Sequence, residues 1–364
     1  REVAELPNVT EVVTDKRELG DLLGRFGVTD APTGISGFGR RHRAYVKVQD
    51  GCLLRCSFCI IPYVRPQLAS RPIEHIEAEV QRLVGGGYRE VVLTGIHLGH
   101  YGVEWNRSAS KDQWTRLSHL VRRLAKLPGE FRVRLSSIEA TEVTRELIDV
   151  LADHPDKVCP HLHISMQSGS DAVLRRMRRR WGAQRFVDRC RMLQDRLDRP
   201  AITTDVIVGF PGETEAEFAE TIAVCRQVGF SKIHMFPFSA RRGTPAADMP
   251  GQLSRQVKHE RGRQLAAVEA ELREAYYASL RGKRLRVLVE SPLEVDRRAA
   301  GGLMPSPGGA GDGTTAARYV GTSCRYAPVE VDCGESSVGD FIDVIAGGAR
   351  DGRLQGERPA VRAH

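Results

Sequence analysis

The chain has 364 residues, of which 41% are hydrophobic and 27% are charged, as is usual for globular proteins. No run of apolar residues approaches the roughly 18 that a membrane-spanning helix needs. The first residues, Arg1-Glu-Val-Ala-Glu, are polar and lack the apolar segment of a secretory signal. We therefore expect a cytoplasmic protein with no membrane partner. The net charge of +8 permits a polyanionic partner but does not require one.

Residues 1–38 look like the remnant of a domain whose main body lies upstream. Residues 39–275 then alternate short β-rich runs with amphipathic stretches. The six predicted strands are Ala44–Val48, Glu90–Leu93, Arg132–Leu135, His161–Met166, Ile202–Val208 and Lys232–Phe236. The predicted helices between them include Ile73–Val84, Gln113–Lys126, Val143–Ala152, Ala172–Arg180 and Glu215–Gln227, the last with Thr214 as its N-cap.

This repeated β–α order predicts an α/β fold with a parallel sheet and right-handed crossovers. Six units are too few for a closed eight-stranded barrel, so we expect a partial (β/α)6 TIM-like barrel. In such a barrel the chemistry is expected at the C-terminal ends of the strands.

A long helical pattern from Gln256 to Leu280 is followed by a change to β-rich segments. Strands are predicted at Arg284–Glu290, near Tyr319, at Val329–Asp332 and at Phe341–Ile345, which indicates a small β-domain over residues 279–347. The Gly/Pro/Ala-rich residues 299–317 are predicted to be a disordered insertion. Residues 348–364 are predicted to be a disordered tail.

Three of the eight cysteines, Cys52, Cys56 and Cys59, form a C-x3-C-x2-C pattern directly after the first predicted strand. The other five are scattered singly, which argues against a disulfide framework. Sulfur ligands select iron–sulfur clusters or zinc, and a structural zinc takes four ligands, whereas only His42 and His75 lie near this triplet. Three cysteines instead suit a 4Fe–4S cluster with one iron open to substrate. The alternatives are buried free thiols or a zinc site completed by a distant histidine.

The residues around the triplet resemble the radical S-adenosylmethionine (SAM) methylthiotransferases. The similar segments are Tyr45–Cys52, Cys59–Pro62, Val92–His97, Arg134–Glu139, His161–Ser170, Asp205–Glu213 and Phe236–Ser239. The resemblance extends over residues 1–346 and is strongest from 43 to 250. It implies that Cys52, Cys56 and Cys59 hold a 4Fe–4S cluster whose open iron chelates SAM. One-electron reduction, from a flavodoxin- or ferredoxin-type donor, would then cleave SAM to a 5′-deoxyadenosyl radical.

The resemblance also implies where SAM is bound. The expected contacts are Thr94, Gly95, Gln167, Ser168, Arg178 and Gly209. The first two would approach the SAM amino group, Gln167 and Ser168 the ribose or carboxylate, Arg178 the carboxylate and Gly209 the adenine. Each segment is also compatible with a structural role, as a strand-ending turn, a polar loop or a solvated helix face. Residues 171–199 hold ten arginines against four aspartates, which would suit contacts with phosphates.

Within the family, Thr94-Gly-Ile-His97 and Gln167-Ser168 favour the branch that acts on threonylcarbamoyladenosine in tRNA. The expected reaction is methylthiolation of C2 of N6-threonylcarbamoyladenosine beside the anticodon, with the tRNA anticodon stem-loop as partner. The terminal β-domain resembles the RNA-associated TRAM module. The alternatives are a methylthiotransferase acting on isopentenyladenosine or on a ribosomal protein, and a non-catalytic iron–sulfur protein that binds RNA.

Two departures from the family pattern stand out. Pro66 follows Arg65, where family members generally have glycine, so we expect the loop after the cysteines to take another path. Residues 1–51 contain no cysteine, whereas the family's upstream domain holds a second 4Fe–4S cluster on three cysteines. We therefore expect that this second cluster belongs to an upstream domain outside the chain, and that the chain is truncated.

Overall fold

The computed structural model describes residues 3–13, 18–28, 42–293, 318–334 and 336–359. The helices are α1 Leu19–Arg25, α2 Ile61–Val64, α3 Ile73–Gly85, α4 Leu117–Ala125, α5 Arg145–Asp153, α6 Asp171–Arg176, α7 Ala183–Arg196, α8 Glu215–Val228 and α9 Arg255–Leu280. The strands of the first domain are β1 Arg43–Asp50, β2 Ala69–Ser70, β3 Glu90–Gly95, β4 Arg132–Leu135, β5 Ser137–Ile138, β6 His161–Ile164, β7 Ala201–Val208 and β8 Lys232–Pro237. Those of the second are β9 Arg284–Pro292, β10 Arg318–Ser323, β11 Pro328–Asp332, β12 Phe341–Arg350 and β13 Arg353–Glu357.

The first domain is an open parallel half-barrel. Its strands form two four-stranded sheets, β2-β1-β3-β4 and β5-β6-β7-β8, in which only the short β2 runs antiparallel to its neighbour. Strands β4 and β5 are consecutive and are separated by Ser136, whose N–H donates to the Leu93 carbonyl at 3.0 Å. The path β1, β3, β4–β5, β6, β7, β8 thus supplies six parallel positions. The predicted partial (β/α)6 barrel and all six of its predicted strands are confirmed.

The helices cover the outer face of this sheet with apolar stripes. In α3 the buried side chains Ile76, Val80 and Leu83 follow helical spacing. Thr214 caps α8 as predicted, within a capping box that Glu217 completes. Helix α7 was not among the predicted helices. One helix was predicted over residues 172–180, whereas α6 ends at Arg176.

The second domain is a closed barrel with strand order β10-β11-β13-β12-β9. The predicted domain end at 347 and the predicted disordered tail from 348 are wrong for the residues up to 357. Strand β12 continues to Arg350, and a two-residue Asp351-Gly352 turn with positive φ at both positions leads into β13. Asp-Gly is a strong signal for such a hairpin. Strand β13 pairs in parallel with β11 and closes the barrel. The predicted insertion at 299–317 lies outside the described residues.

Helix α9 connects the two domains and has 26 residues, with charged side chains along its length and a buried apolar face that includes Leu265 and Leu272. Among the described helices, none combines the length and the hydropathy that crossing a membrane would require.

A buried ion cluster joins the β-barrel to the half-barrel. The Glu90 carboxylate accepts hydrogen bonds from Arg132 Nε at 2.6 Å and from Arg134 Nε at 2.8 Å, and all three side chains are at most 3% exposed. Arg134 Nη2 also donates to Glu90 at 3.0 Å, and further guanidinium hydrogens of both arginines bond to backbone carbonyls of the barrel. The acceptors are Arg286 and Thr322 for Arg132, and Ser323 and Cys324 for Arg134. Glu90 and Arg132 begin β3 and β4, so the barrel sits at the N-terminal ends of these strands.

We predict that Glu90→Gln destabilises the protein by about 3–5 kcal/mol, because it leaves two buried guanidinium groups without their counter-ion. The free energy of unfolding, measured by denaturant titration, tests this. Glu271→Gln is the matched control, because Glu271 pairs with Arg226 at an exposed position and exposed pairs contribute less than about 1 kcal/mol. Equal effects of the two substitutions would contradict the prediction.

The same pair predicts a pH dependence. Burial raises the pKa of Glu90, but the charges of Arg134 and Arg132 outweigh burial and hold that pKa well below the unfolded value of 4.5. The ionised carboxylate therefore stabilises the fold above pH 4.5, and this stabilisation is lost as the pH falls further. We expect the stabilities of wild type and Glu90→Gln to converge as the pH is lowered below that value.

Candidate functional site

The cysteine loop leaves the C-terminal end of β1 through a turn that only glycine can make. Gly51 has a φ of +80°, and a Cβ there would lie 1.8 Å from the Gln67 carbonyl oxygen. The Cys52 N–H donates to the Arg65 carbonyl at 3.1 Å, and the Arg65 guanidinium pairs with Asp50 at 3.1 Å. Residue Arg65, directly before Pro66, thus closes the loop back onto its own start.

The three thiols line one cavity of about 170 Å³ at the C-terminal ends of the strands. Cys52 and Cys56 are each 8% exposed and Cys59 is half-buried. The other lining residues come from the cysteine loop and α2, from the ends of further strands and from the segment after α6: Leu54, Phe58, Ile61, Ile96, His97, Ser137, Ile138, Glu139, Ser165, Gln167 and Arg179. Three converging sulfur ligands in a shielded cavity fit a 4Fe–4S cluster with one open iron.

The remaining cysteines lie elsewhere. Burial raises the pKa of Cys159 to about 11 and that of Cys225 to about 12, so both stay neutral thiols at physiological pH. None of the described cysteines forms a disulfide. The predicted division into one metal-binding triplet and five single thiols therefore agrees with the structure.

Two charged side chains contact the sulfur atoms, and a glutamate holds each of them. His97 Nδ1 lies 3.7 Å from Cys52 Sγ, and its Nε2 contacts the Glu142 carboxylate. Burial lowers the pKa of His97, but its hydrogen bonds to Cys52 and Glu142 outweigh burial and raise the pKa to about 9. A protonated ring can donate to both partners at once.

The second charged contact comes from an arginine that sequence reasoning missed. Arg179 donates from Nη1 to Cys56 Sγ at 3.3 Å, and its Nη2 contacts the Glu139 carboxylate. Its side chain is 3% exposed. Burial raises the pKa of Cys56, and the Arg179 charge opposes this increase. Arg179 therefore occupies the inward position that we expected for Arg178.

The predicted SAM contacts are only partly brought together. Gln167 lines the cavity, and its φ of +67° turns its backbone at the end of β6. Thr94 and Gly95 lie within β3, directly before the cavity-lining Ile96 and His97.

Two further residues that were predicted to contact SAM make other contacts. Ser168 is fully buried and bonds to Thr221 Oγ1 at 3.1 Å, so its side chain cannot serve as a ligand contact as expected. Gly209 packs against Lys258, and a Cβ there would come within 2.4 Å of it. Ser168 thus packs against α8, and Gly209 packs against α9.

An apolar cavity of about 460 Å³ adjoins the first and shares Phe58, Cys59, Ile61 and Gln167 with it. Its walls include Ile207, Phe236 and Phe238, and its polar groups include Asp205. The His163 Nε2 lies 3.2 Å from the Asp205 carboxylate.

We predict that Cys56→Ala greatly reduces the iron content and the visible absorbance of the reconstituted protein, because two cysteines cannot retain the cluster. Cys225→Ala removes a buried thiol that does not line the cavity and should leave both readouts unchanged. Full iron loading of Cys56→Ala would contradict the assignment.

Comparison with known proteins agrees with this geometry. Residues 46–225 match the Radical SAM superfamily. The threonylcarbamoyladenosine tRNA methylthiotransferase MtaB of Bacillus subtilis is 44% identical over 261 residues, which are 71% of this chain and 56% of that protein. The protein of the same name from Thermotoga maritima is 41% identical over 257 residues, 70% of this chain and 56% of that protein. A tRNA-2-methylthio-N(6)-dimethylallyladenosine synthase of Akkermansia muciniphila is 35% identical over 307 residues, 84% of this chain and 62% of that protein.

The chain thus spans a little more than half the length of these relatives. Its cofactors are a 4Fe–4S cluster, on Cys52, Cys56 and Cys59, and SAM. The chain belongs to the radical SAM superfamily and, within it, to the methylthiotransferase family.

Proposed function

We propose that the chain carries the catalytic domain of an enzyme that methylthiolates C2 of N6-threonylcarbamoyladenosine in tRNA. The observation that carries the proposal is the identity of 44% to a relative of that name, over 71% of this chain. The three thiols lie within residues 46–225, which match the Radical SAM superfamily. Relatives that bear the dimethylallyladenosine name are 34% to 39% identical.

The chain's own residues prepare the site for its cofactors. When bound, the cluster supplies the electron for the reductive cleavage of SAM. Hydrogen bonds to cluster sulfurs tune the reduction potential, and His97 and Arg179 are placed to donate them. Phe58, Ile61 and Ile138 line the cavity with apolar surface and exclude water from it.

Glu139 and Arg179 suit the methionine end of SAM, which carries an ammonium and a carboxylate. Both side chains line the cysteine cavity, and they are paired with each other. Trp181 Nε1 donates to the Glu139 carboxylate at 3.2 Å and fixes its orientation. The methionine end of SAM can thus replace the Glu139–Arg179 ion pair with two new ones. Its ammonium would pair with Glu139 and its carboxylate with Arg179.

The adjoining apolar cavity suits the adenosine end of SAM. Phe236, Phe238 and Ile207 offer apolar surface for a planar base, and the Asp205 carboxylate can accept hydrogen bonds from ribose hydroxyls. Gln167 lines both cavities, so it would contact SAM between its two ends.

The C-terminal barrel is proposed to be a TRAM-like module that contacts the tRNA anticodon stem-loop. It is a small closed barrel, and its exposed arginines include Arg284, Arg318 and Arg350. Such side chains can neutralise phosphates. A flavodoxin- or ferredoxin-type protein is the proposed electron donor.

We predict that Glu139→Gln weakens SAM binding roughly ten- to hundred-fold, the usual effect of losing a hydrogen bond to a charged group. Equilibrium binding of SAM to the cluster-loaded protein measures this. Glu146→Gln is the control, because Glu146 pairs with Arg116 and His119 away from the cavity. Unchanged SAM affinity with intact iron content would refute the role of Glu139.

The function itself is tested by mass spectrometry of tRNA nucleosides from a host that lacks the modification, with and without the full-length gene. The proposal requires 2-methylthio-N6-threonylcarbamoyladenosine to appear with the wild-type gene and to be absent with Cys56→Ala. The appearance of the dimethylallyl product instead would reassign the substrate while leaving the radical chemistry intact.

A further inference from the structure

Arg178 occupies a backbone position that normally belongs to glycine. Helix α6 ends in a Schellman motif, in which the Arg179 N–H donates to the Leu174 carbonyl at 2.9 Å and the Arg178 N–H to the Arg175 carbonyl at 2.9 Å. Arg178 has a φ of +58°, in the left-handed region that favours glycine or asparagine. A strained residue at such a site suggests that its side chain is needed.

The side chain of Arg178 lines a small cleft next to the cluster cavity. The cleft has a volume of about 40 Å³ and shares Leu54, Cys56, His97, Glu139 and Arg179 with that cavity. Its other lining residues, besides Arg178, are His100, Thr141, Glu142, Arg180 and Trp181. This volume suits a group as small as a carboxylate and excludes a nucleobase.

The cleft carries uncompensated positive charge. Its two carboxylates are committed, Glu139 to Arg179 and Glu142 to His97. Within the described part of the chain, Arg178 and Arg180 form no ion pair and both are exposed. The cleft therefore offers two guanidinium groups that have no ion-pair partner, next to the cavity that the three cysteines line.

The two substrates named by the relatives differ in the group that such a cleft would recognise. The threonylcarbamoyl group ends in a carboxylate, which is ionised at neutral pH, whereas a dimethylallyl group is an uncharged hydrocarbon. Guanidinium groups bind carboxylates through paired, charge-assisted hydrogen bonds, and they offer nothing comparable to a hydrocarbon. Thr141 adds a hydroxyl to the same cleft.

We propose that Arg178 and Arg180 bind the threonyl carboxylate of the substrate nucleoside and thereby select it over dimethylallyladenosine. This inference rests on the proposed function. It also accounts for the arginine at the left-handed position, because the backbone there aims residue 178 into the cleft while Arg179 turns toward Cys56.

The test uses cluster-loaded protein and three anticodon stem-loop RNAs, which carry N6-threonylcarbamoyladenosine, its methyl ester or unmodified adenosine. Wild type is expected to bind the first RNA more tightly than the ester. Arg178→Asn, which keeps the backbone conformation at low cost, should weaken binding of the first RNA about ten- to hundred-fold and leave the ester unaffected. Arg180→Gln should act in the same direction.

Arg175→Gln is the matched control, since Arg175 is exposed on the same helix and does not line the cleft. It should leave all three affinities unchanged. The thermal midpoint of Arg178→Asn should equal or exceed that of wild type, so that a loss of affinity cannot be ascribed to unfolding.

Three results would overturn the inference. Equal weakening for all three RNAs would place Arg178 on a phosphate, and a fall in SAM affinity would place it on the cofactor. If Arg178→Asn kept the wild-type preference for the acid over its methyl ester, Arg178 would have no role in recognising the carboxylate. Failure of the proposed function is distinguishable, because the full-length wild-type protein would then form no methylthio product on the threonylcarbamoyladenosine RNA.

Discussion

The arrangement of the two domains depends on a single carboxylate. Glu90 is fully buried at the start of β3 and neutralises Arg132 and Arg134, whose other hydrogens bond to carbonyls of the barrel strands. Neither arginine could be buried without this counter-ion, because an unpaired charge in a low-dielectric interior is very costly.

The position of this cluster has a functional consequence. It fixes the β-barrel at the N-terminal ends of the half-barrel strands, where Tyr326 of the barrel also stacks on His161 at the start of β6. The C-terminal ends of the same strands, which carry Cys52, His97 and Glu139, are therefore left open to cofactors and substrate. Stability and chemistry are placed at opposite ends of one sheet, as in closed (β/α)8 barrels.

The cluster site is itself organised by charge. Two of its three sulfur ligands contact a cationic side chain, and each cation is held by a glutamate, in the order Glu142–His97–Cys52 and Glu139–Arg179–Cys56. Such outer residues orient the ligands and adjust their electronic character. The Arg179 pair also faces the cavity proposed for SAM, so one guanidinium can act on both cofactors.

Much of this protein follows from its sequence alone. The spacing of Cys52, Cys56 and Cys59 after a strand predicted the metal site, because three thiolates so close in the chain must converge. The β–α alternation predicted the six-stranded parallel half-barrel, since apolar periodicity is a local property. The Thr214 cap followed from the same kind of local signal.

Other features were decided only by the tertiary structure. Which arginine of Arg178, Arg179 and Arg180 points inward depends on a left-handed turn at Arg178, where periodicity predicts continued helix. Ser168 was predicted to contact SAM, but its hydroxyl hydrogen-bonds to Thr221, which lies 53 residues further along the chain. Strand β13 has a local signal in the Asp351-Gly352 turn, but its parallel pairing with β11, which closes the barrel, depends on the tertiary structure. Sequence patterns record which residues can bind and which can be buried, but partners that are distant along the chain are fixed only when packing brings them together.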